Sequence, residues 1–199
     1  WDGNGSSRSI TTSGMSPDWV WIKERGVAGG HNLYDAIRGA TKFLASEDTA
    51  AEGTDTSALT AFNSDGFSLG TGFSVKSSNK SGRTYAGWCW DAGSSTVTNT
   101  SGSVNSSVRA NPTAGFSIAA FTVSSDGNVT VGHGLGAVPE FIIVKRRTGS
   151  EDWYVHHTSL ASDKMLKLNS TGVGFNSDVG NSTLTNTLFN HAANAGDHI

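Results

Sequence analysis

Few residues of this 199-residue chain have the type and spacing to do chemistry. Gly66-Phe67-Ser68-Leu69-Gly70 spells G-x-S-x-G, the pattern that exposes a nucleophilic serine on a sharp strand-to-helix turn. Here it follows Asn63-Ser64-Asp65-Gly66, a hairpin signal, and runs on as strand, so Ser68 reads as a strand residue. Gly132-His133-Gly134-Leu135-Gly136 resembles a phosphate cradle, but a cradle needs a helix directly after it, and Pro139 and a strand follow. His133 is then expected as an exposed turn residue. His156 and His157 are neighbours and point to opposite faces of a strand, whereas a zinc site needs three or four converging ligands. Glu24 and Glu151 sit beside basic residues or in turns, and Glu140 follows a proline at a strand start, so no facing carboxylate pair for glycoside hydrolysis is apparent. Asp2-Gly3-Asn4-Gly5 and Asp126-Gly127-Asn128 read as turns, short of the ligand count that calcium requires. Cys89 lies in an apolar strand and reads as a core residue. The expectation is a protein that is not an enzyme, with no catalytic residue, no metal and no cofactor.

Binding chemistry is the other possibility, and aromatic side chains would carry it. Trp19 and Trp21 share one strand face, as do Trp88 and Trp90. Such pairs stack on sugar rings when exposed. Their apolar neighbours place them in the core. Trp153 and Tyr154 follow the polar Ser150-Glu151-Asp152 and, with His133, are the expected ligand-binding residues.

The elements that must hold these residues are written twice. Pro17-Asp18-Trp19-Val20-Trp21-Ile22-Lys23 returns 122 positions later as Pro139-Glu140-Phe141-Ile142-Ile143-Val144-Lys145. The same offset takes Arg25 to Arg147, Lys42 to Lys164, Leu44 to Leu166 and Phe67 to Phe189. A long internal repeat implies two copies of one domain. The expected division is residues 1–93, a Ser/Thr/Asn-rich linker or polar hairpin over 94–113, and a second copy over 114–199. Gly is 25, charged residues are 16% and the net charge is −3, which fits short strands joined by tight polar turns and offers no electrostatic footprint for nucleic acid. No apolar run is long enough to insert in a membrane as a helix. The fold class is all-β. Trp19 to Ile22, Leu59 to Phe62, Phe67 to Leu69 and Tyr85 to Trp90 are strands, and the last is expected to be central. His31 to Asp48 reads as two strands, with a turn at Arg38-Gly39-Ala40. The chain opens on Trp1 rather than Met and reads as a fragment. Ala195-Gly196-Asp197-His198-Ile199 matches Ser81 to Tyr85, so the second copy ends as its last strand begins. Completion from outside is expected, by further residues or by another subunit.

Taken together, Ser16 to Lys23, Leu33-Tyr34-Asp35, Arg38 to Leu44, Phe62 to Phe67, Tyr85 to Trp90, Gly132 to Gly136, Pro139 to Lys145 and Trp153 to His157 resemble tandem repeats in virion proteins of tailed, notably marine, bacteriophages. The resemblance covers nearly the whole chain. It implies two tandem antiparallel β-sandwich domains of the jelly-roll or concanavalin-like kind, and a tail-fibre-like protein on the virion surface. It implies attachment to a host-surface glycan, with a purely structural component (capsid decoration or fibre spacer) as the alternative. The implied partners are other copies of the chain, as a homotrimer, and other virion proteins.

Overall fold

The structure, a computed structural model, describes residues 1–71, 77–161, 164–172, 174–176 and 184–199. Residues 72–76, part of the small and polar stretch Gly70 to Arg83 whose composition reads as a long loop, lie outside them. The secondary structure is all strand, with no helix among the described residues. The chain divides into two compact units, one of Trp1–Glu47 with Glu52–Ala92, the other of Asp48–Ala51 with Gly93–Ile199.

The first unit holds β1 (Arg8–Thr11), β2 (Trp19–Glu24), β3 (His31–Asp35), β4 (Lys42–Phe43), β5 (Gly53–Thr54), β6 (Leu59–Asn63), β7 (Gly66–Leu69) and β8 (Tyr85–Trp90). They form antiparallel sheets of order β1-β7-β6, β3-β2-β8 and β4-β5. Strand alternation decides which side of each is core. Val20 and Ile22 of β2, Tyr34 of β3 and Tyr85 of β8 are buried in one cluster with Leu59 of β6 and Phe67 and Leu69 of β7. The two three-stranded sheets therefore share a sandwich-type core. Asn63 to Gly66 turns β6 into β7, and Gly66 has φ +128°. A Cβ there would come within 1.9 Å of the Ile10 carbonyl oxygen, so only glycine lets β1 approach. β3 stops because the Asp35 carboxylate accepts from the amides of Ile37 and Arg38, 3.0 and 2.9 Å away, which folds the chain into a turn.

The second unit holds β9 (Val97–Asn99), β10 (Ser106–Asn111), β11 (Phe116–Phe121), β12 (Gly127–Gly132), β13 (Phe141–Lys145), β14 (Trp153–His157), β15 (Lys164–Lys167), β16 (Phe175–Asn176) and β17 (Leu188–Ala193). The sheets run β11-β10-β9, β12-β17 and β13-β14-β15-β16. Residues 94–113 belong to this unit, where β9 and β10 form a polar antiparallel ribbon that β11 extends.

The offset of 122 is structural as well from β2 to β7 and from β13 to β17, and it shifts to 120 at the start of the units (Trp1 and Phe121) and to 114 at their closing turns (Gly82 and Gly196). Trp19 faces Asp35 and Phe141 faces His157. Leu33 bridges Leu44 and Val155 pairs with Leu166. Lys42 pairs with Thr54 and Lys164 with Asn176. Trp1 meets Phe67 edge to face at 5.8 Å, and Phe121 meets Phe189 the same way at 6.2 Å. The closing turns agree too: Gly82 has φ +76° and Gly196 +84°. The Arg25 amide donates to the Thr84 carbonyl at 2.8 Å and the Arg147 amide to that of His198 at 2.7 Å.

Two expectations need correction. β8 is not central: among the described residues β2 is the one strand it pairs with, and on its other side only its first residue, Tyr85, meets the chain, at Trp1. β2 and β13 do not have equivalent sheet neighbours either. β2 lies between β3 and β8, whereas β13 pairs with β14 and, among the described residues, with no strand on its other side.

Candidate functional site

The face of the β3-β2-β8 sheet turned away from the core is lined by indoles. With Val20 and Ile22 facing inward, alternation puts Trp19, Trp21 and Lys23 outward. On β8, Tyr85 is core, so Gly87 and Cys89 face inward and Trp88 and Trp90 outward. The register sets Trp19 opposite Trp90 and Trp21 opposite Trp88. The ring centroids are 6.0 and 6.3 Å apart, tilted and edge to face respectively. Such cross-strand aromatic pairs contribute about 0.5–1.5 kcal/mol each beyond area burial. Trp88 is 48% and Trp90 37% exposed, because β8 ends its sheet among the described residues. The expectation that these indoles are core is thus reversed.

Polar groups border the aromatic face. The Trp21 Nε1–H donates to His31 Nδ1 at 2.7 Å, which places the proton of a neutral His31 ring on Nε2. Burial lowers the His31 pKa, opposed by Glu47 and aided by Lys23. The His31 amide donates to Glu47 Oε2 at 2.9 Å. At the far end of β3, the buried Arg38 guanidinium pairs with Asp35 and, at 3.3 Å, with Glu52, and donates to the Leu33 carbonyl at 3.0 Å. This ion cluster fixes the β3 end of the sheet. A half-exposed aromatic surface with adjoining donors and acceptors can stack on the apolar face of a sugar ring and hydrogen-bond its hydroxyls.

The residues expected to bind ligand are not brought together into such a surface. Trp153 is buried, at 3% exposure, rather than presented beside the polar turn. It stands where His31 stands in the first unit, on a sheet face that also carries Ile143 and Val155. Tyr154 points the other way, packs on the second core, and donates its hydroxyl to Glu151 Oε1 at 2.7 Å. Burial, then that bond to the carboxylate, raises its pKa. His133 is buried too, not an exposed turn residue. Its Nε2–H donates to the Thr185 carbonyl at 3.2 Å and its Nδ1 accepts from the Leu135 amide at 3.2 Å, so the ring is held neutral between two backbone groups. Burial lowers its pKa accordingly.

Ser68 lies within β7, opposite Ser9, and its Oγ meets Ser9 Oγ at 3.3 Å and Asn63 Nδ2 at 3.0 Å. That is a strand position and not a nucleophile elbow. Burial pushes the Cys89 thiol up to about 11, which keeps it protonated near neutrality. Among the described residues, no three His, Cys, Asp or Glu side chains are grouped to hold a metal. The second unit has an open groove of about 450 Å³ between β10 and β11, lined by Thr98, Ser103, Asn105, Ser107, Thr122 and Ser124. Its polar groups are hydroxyls and an amide, and Val104, Ala120 and Phe121 complete the lining.

One signal for the indole face was available in the sequence. In Tyr85-Ala86-Gly87-Trp88-Cys89-Trp90 one parity carries glycine and cysteine and the other two indoles. Gly87 has no room for a larger residue, since a Cβ would lie 3.0 Å from the Trp1 ring. The small parity is therefore the core side, and the indoles fall on the other.

The chain belongs to the family described as a domain of unknown function (DUF7483), whose model matches residues 1–198 and so spans both units. No curated protein matches the chain, and no solved structure matches it.

Proposed function

We propose that this protein is a non-enzymatic attachment module of a bacteriophage virion, tail-fibre-like, that binds a host-surface glycan through the outer face of β2 and β8. The observation that carries the reading is the pair of half-exposed indoles, Trp88 and Trp90, braced by Trp21 and Trp19 on the neighbouring strand. A large aromatic surface left open to water costs solubility and is characteristic of a contact surface. Lys23 and His31 border it with polar groups. Ring stacking needs no titrating group, which suits a face whose one imidazole is held neutral.

The test is adsorption of the purified protein to host cells, with soluble host polysaccharide as competitor. Wild type should adsorb and be displaced. Trp88→Ala with Trp90→Ala should lower adsorption at least about tenfold, the loss of roughly 1.4 kcal/mol. Loss of the two indole pairs should cost about 1–3 kcal/mol of stability, so adsorption is compared at a temperature where circular dichroism shows the variant folded. Unchanged adsorption by that variant would remove the proposal.

A second reading is a purely structural virion component, a decoration or spacer. Among the described residues β13 pairs with β14 alone, and a strand edge of that kind suits assembly. This reading predicts adsorption to other virion proteins and none to host cells.

A further inference from the structure

We propose, on the glycan reading of the β2 and β8 face, that His31 is the positioning residue of that face. Its neutral ring accepts the Trp21 N–H and so sets the indole against which Trp88 is braced, and the face binds in full only while that ring is unprotonated. Three side chains form the line of contact. The His31 ring meets Trp21 edge to face at 5.6 Å, and Trp21 meets Trp88 the same way at 6.3 Å. Trp88, at 48% exposure, is the end that touches ligand. His31 acts through Trp21 and not on the glycan.

The acceptor is needed because Trp21 is half-buried. A half-buried N–H left without a partner costs free energy. The backbone carbonyls on both sides of β2 are engaged in its ladders with β3 and β8, so a side chain must serve. His31 Nδ1 does so at 2.7 Å, from the neighbouring row of the sheet, where His31 lies opposite Lys23. Trp21 itself lies opposite Leu33, which is 1% exposed and bridged to Leu44, so that side of the indole is closed. The second unit lacks the pair. Ile143 stands where Trp21 does and Trp153 where His31 does, so the indole donor and the imidazole acceptor are kept together or lost together.

A protonated imidazole has two N–H donors and no acceptor. Two charged groups face it: Lys23, directly opposite on β2, and Glu47, whose carboxylate accepts the His31 amide at 2.9 Å. Leu44 beyond β3, and Ala86 and Trp88 on β8, carry no charge. Lys23 repels the imidazolium and Glu47 draws it, which turns the ring away from the Trp21 N–H. Burial lowers the His31 pKa, with Glu47 opposing and Lys23 adding to it. The bond is therefore complete above about pH 6.5, the ordinary value, and is lost as pH falls through the lower folded value.

The test follows the Trp21 indole N–H by NMR in the tryptophan-labelled 199-residue chain, assigned by its loss in Trp21→Phe. Adsorption to host cells is measured on the same protein from about pH 7.5 down to about pH 4.5. The resonance should titrate, and adsorption should fall at least about threefold with the same midpoint, as expected for the loss of one neutral hydrogen bond. His31→Asn, whose amide oxygen takes the place of Nδ1 and does not titrate, should adsorb like wild type at the upper pH and show no such fall. His31→Leu should show the lowered adsorption at every pH. An indole signal that does not move over this range, one that moves while adsorption stays level, or the same fall in His31→Asn would overturn the positioning role. Equal adsorption by wild type and by Trp88→Ala with Trp90→Ala at the upper pH would instead remove the glycan reading, and this role with it.

Discussion

The two units carry the same β2–β3 hairpin in the same register and put it to different use. In the first, both edges of β2 are paired, and the strand beside it brings Trp88 and Trp90 next to Trp19 and Trp21. In the second, Phe141 and Ile143 hold the outward positions of β13, and Phe141 meets the His157 ring at 6.3 Å. An exposed aromatic platform thus needs two adjacent strands of matching parity. One strand with an apolar outer face gives an edge. The comparison also separates framework from embellishment. The Trp1–Phe67 and Phe121–Phe189 pairs occur in both units, as do the closing glycine turns. An ion pair is kept with its signs exchanged: Glu24 with Arg83 at 3.4 Å, and Arg146 with Asp197 at 3.3 Å, at corresponding positions.

The largest expected effect tests the shared framework. Phe67→Ala and Phe189→Ala remove corresponding core rings and should each cost about 3–5 kcal/mol. Phe189, at 8% exposure against 1% for Phe67, should fall at the lower end. Urea unfolding read by hydrogen exchange in each unit checks this, and each change should weaken its own unit. Equal weakening of both units by one change would break the division into two.

Acid should sharpen the difference. Burial depresses the His191 pKa from its ordinary value to about 4, and burial also lowers those of His133 and His156. All three are in the second unit. Because the unfolded chain takes up a proton near pH 6.5 and the folded one does not until about pH 4, stability is lost as pH falls through that window. His191 alone accounts for about 2–3 kcal/mol. The first unit contains only His31 and should lose less. His191→Leu, which copies Leu69 at the corresponding position, should flatten the pH dependence of the second unit. Melting temperatures at pH 7 and pH 4.5 read both.

The smallest effect concerns the exchanged ion pair. Glu24→Arg alone should destabilise the first unit by about 1 kcal/mol, by setting it against Arg83. Adding Arg83→Asp recreates the Arg146–Asp197 arrangement and should restore most of that loss. A double variant no better than the single one would show that the two pairs are not equivalent.

Much of this frame was legible in the sequence because the repeat fixes it. The strand at Pro17 to Lys23 and its copy, the hairpin at Asn63 to Gly66, and the match of Ala195–Ile199 to Ser81–Tyr85 all depend on local patterns that alternation and turn chemistry determine. The exposure of the indole face was not read correctly. Trp19-Val20-Trp21-Ile22 is apolar on both parities, so the strand itself does not say which side is core. That choice depends on the small parity of Tyr85 to Trp90 and on a register between strands more than 60 positions apart, from Trp19 to Trp90. Trp153 misled because a polar turn precedes it. Its exposure is set by tertiary packing around β14, which no neighbouring residue encodes. His133 misled in the same way, since glycine-rich turns are usually open, and this one is closed by Thr185.

The central claim is that glycan recognition belongs to the first unit and is absent from the corresponding face of the second. The direct measurement is a calorimetric titration of host-surface polysaccharide into wild type, Trp88→Ala with Trp90→Ala, and Phe141→Ala. Wild type and Phe141→Ala should bind alike, and the double tryptophan variant should bind at least about tenfold more weakly. Binding lost in Phe141→Ala and kept in the tryptophan variant would contradict the account.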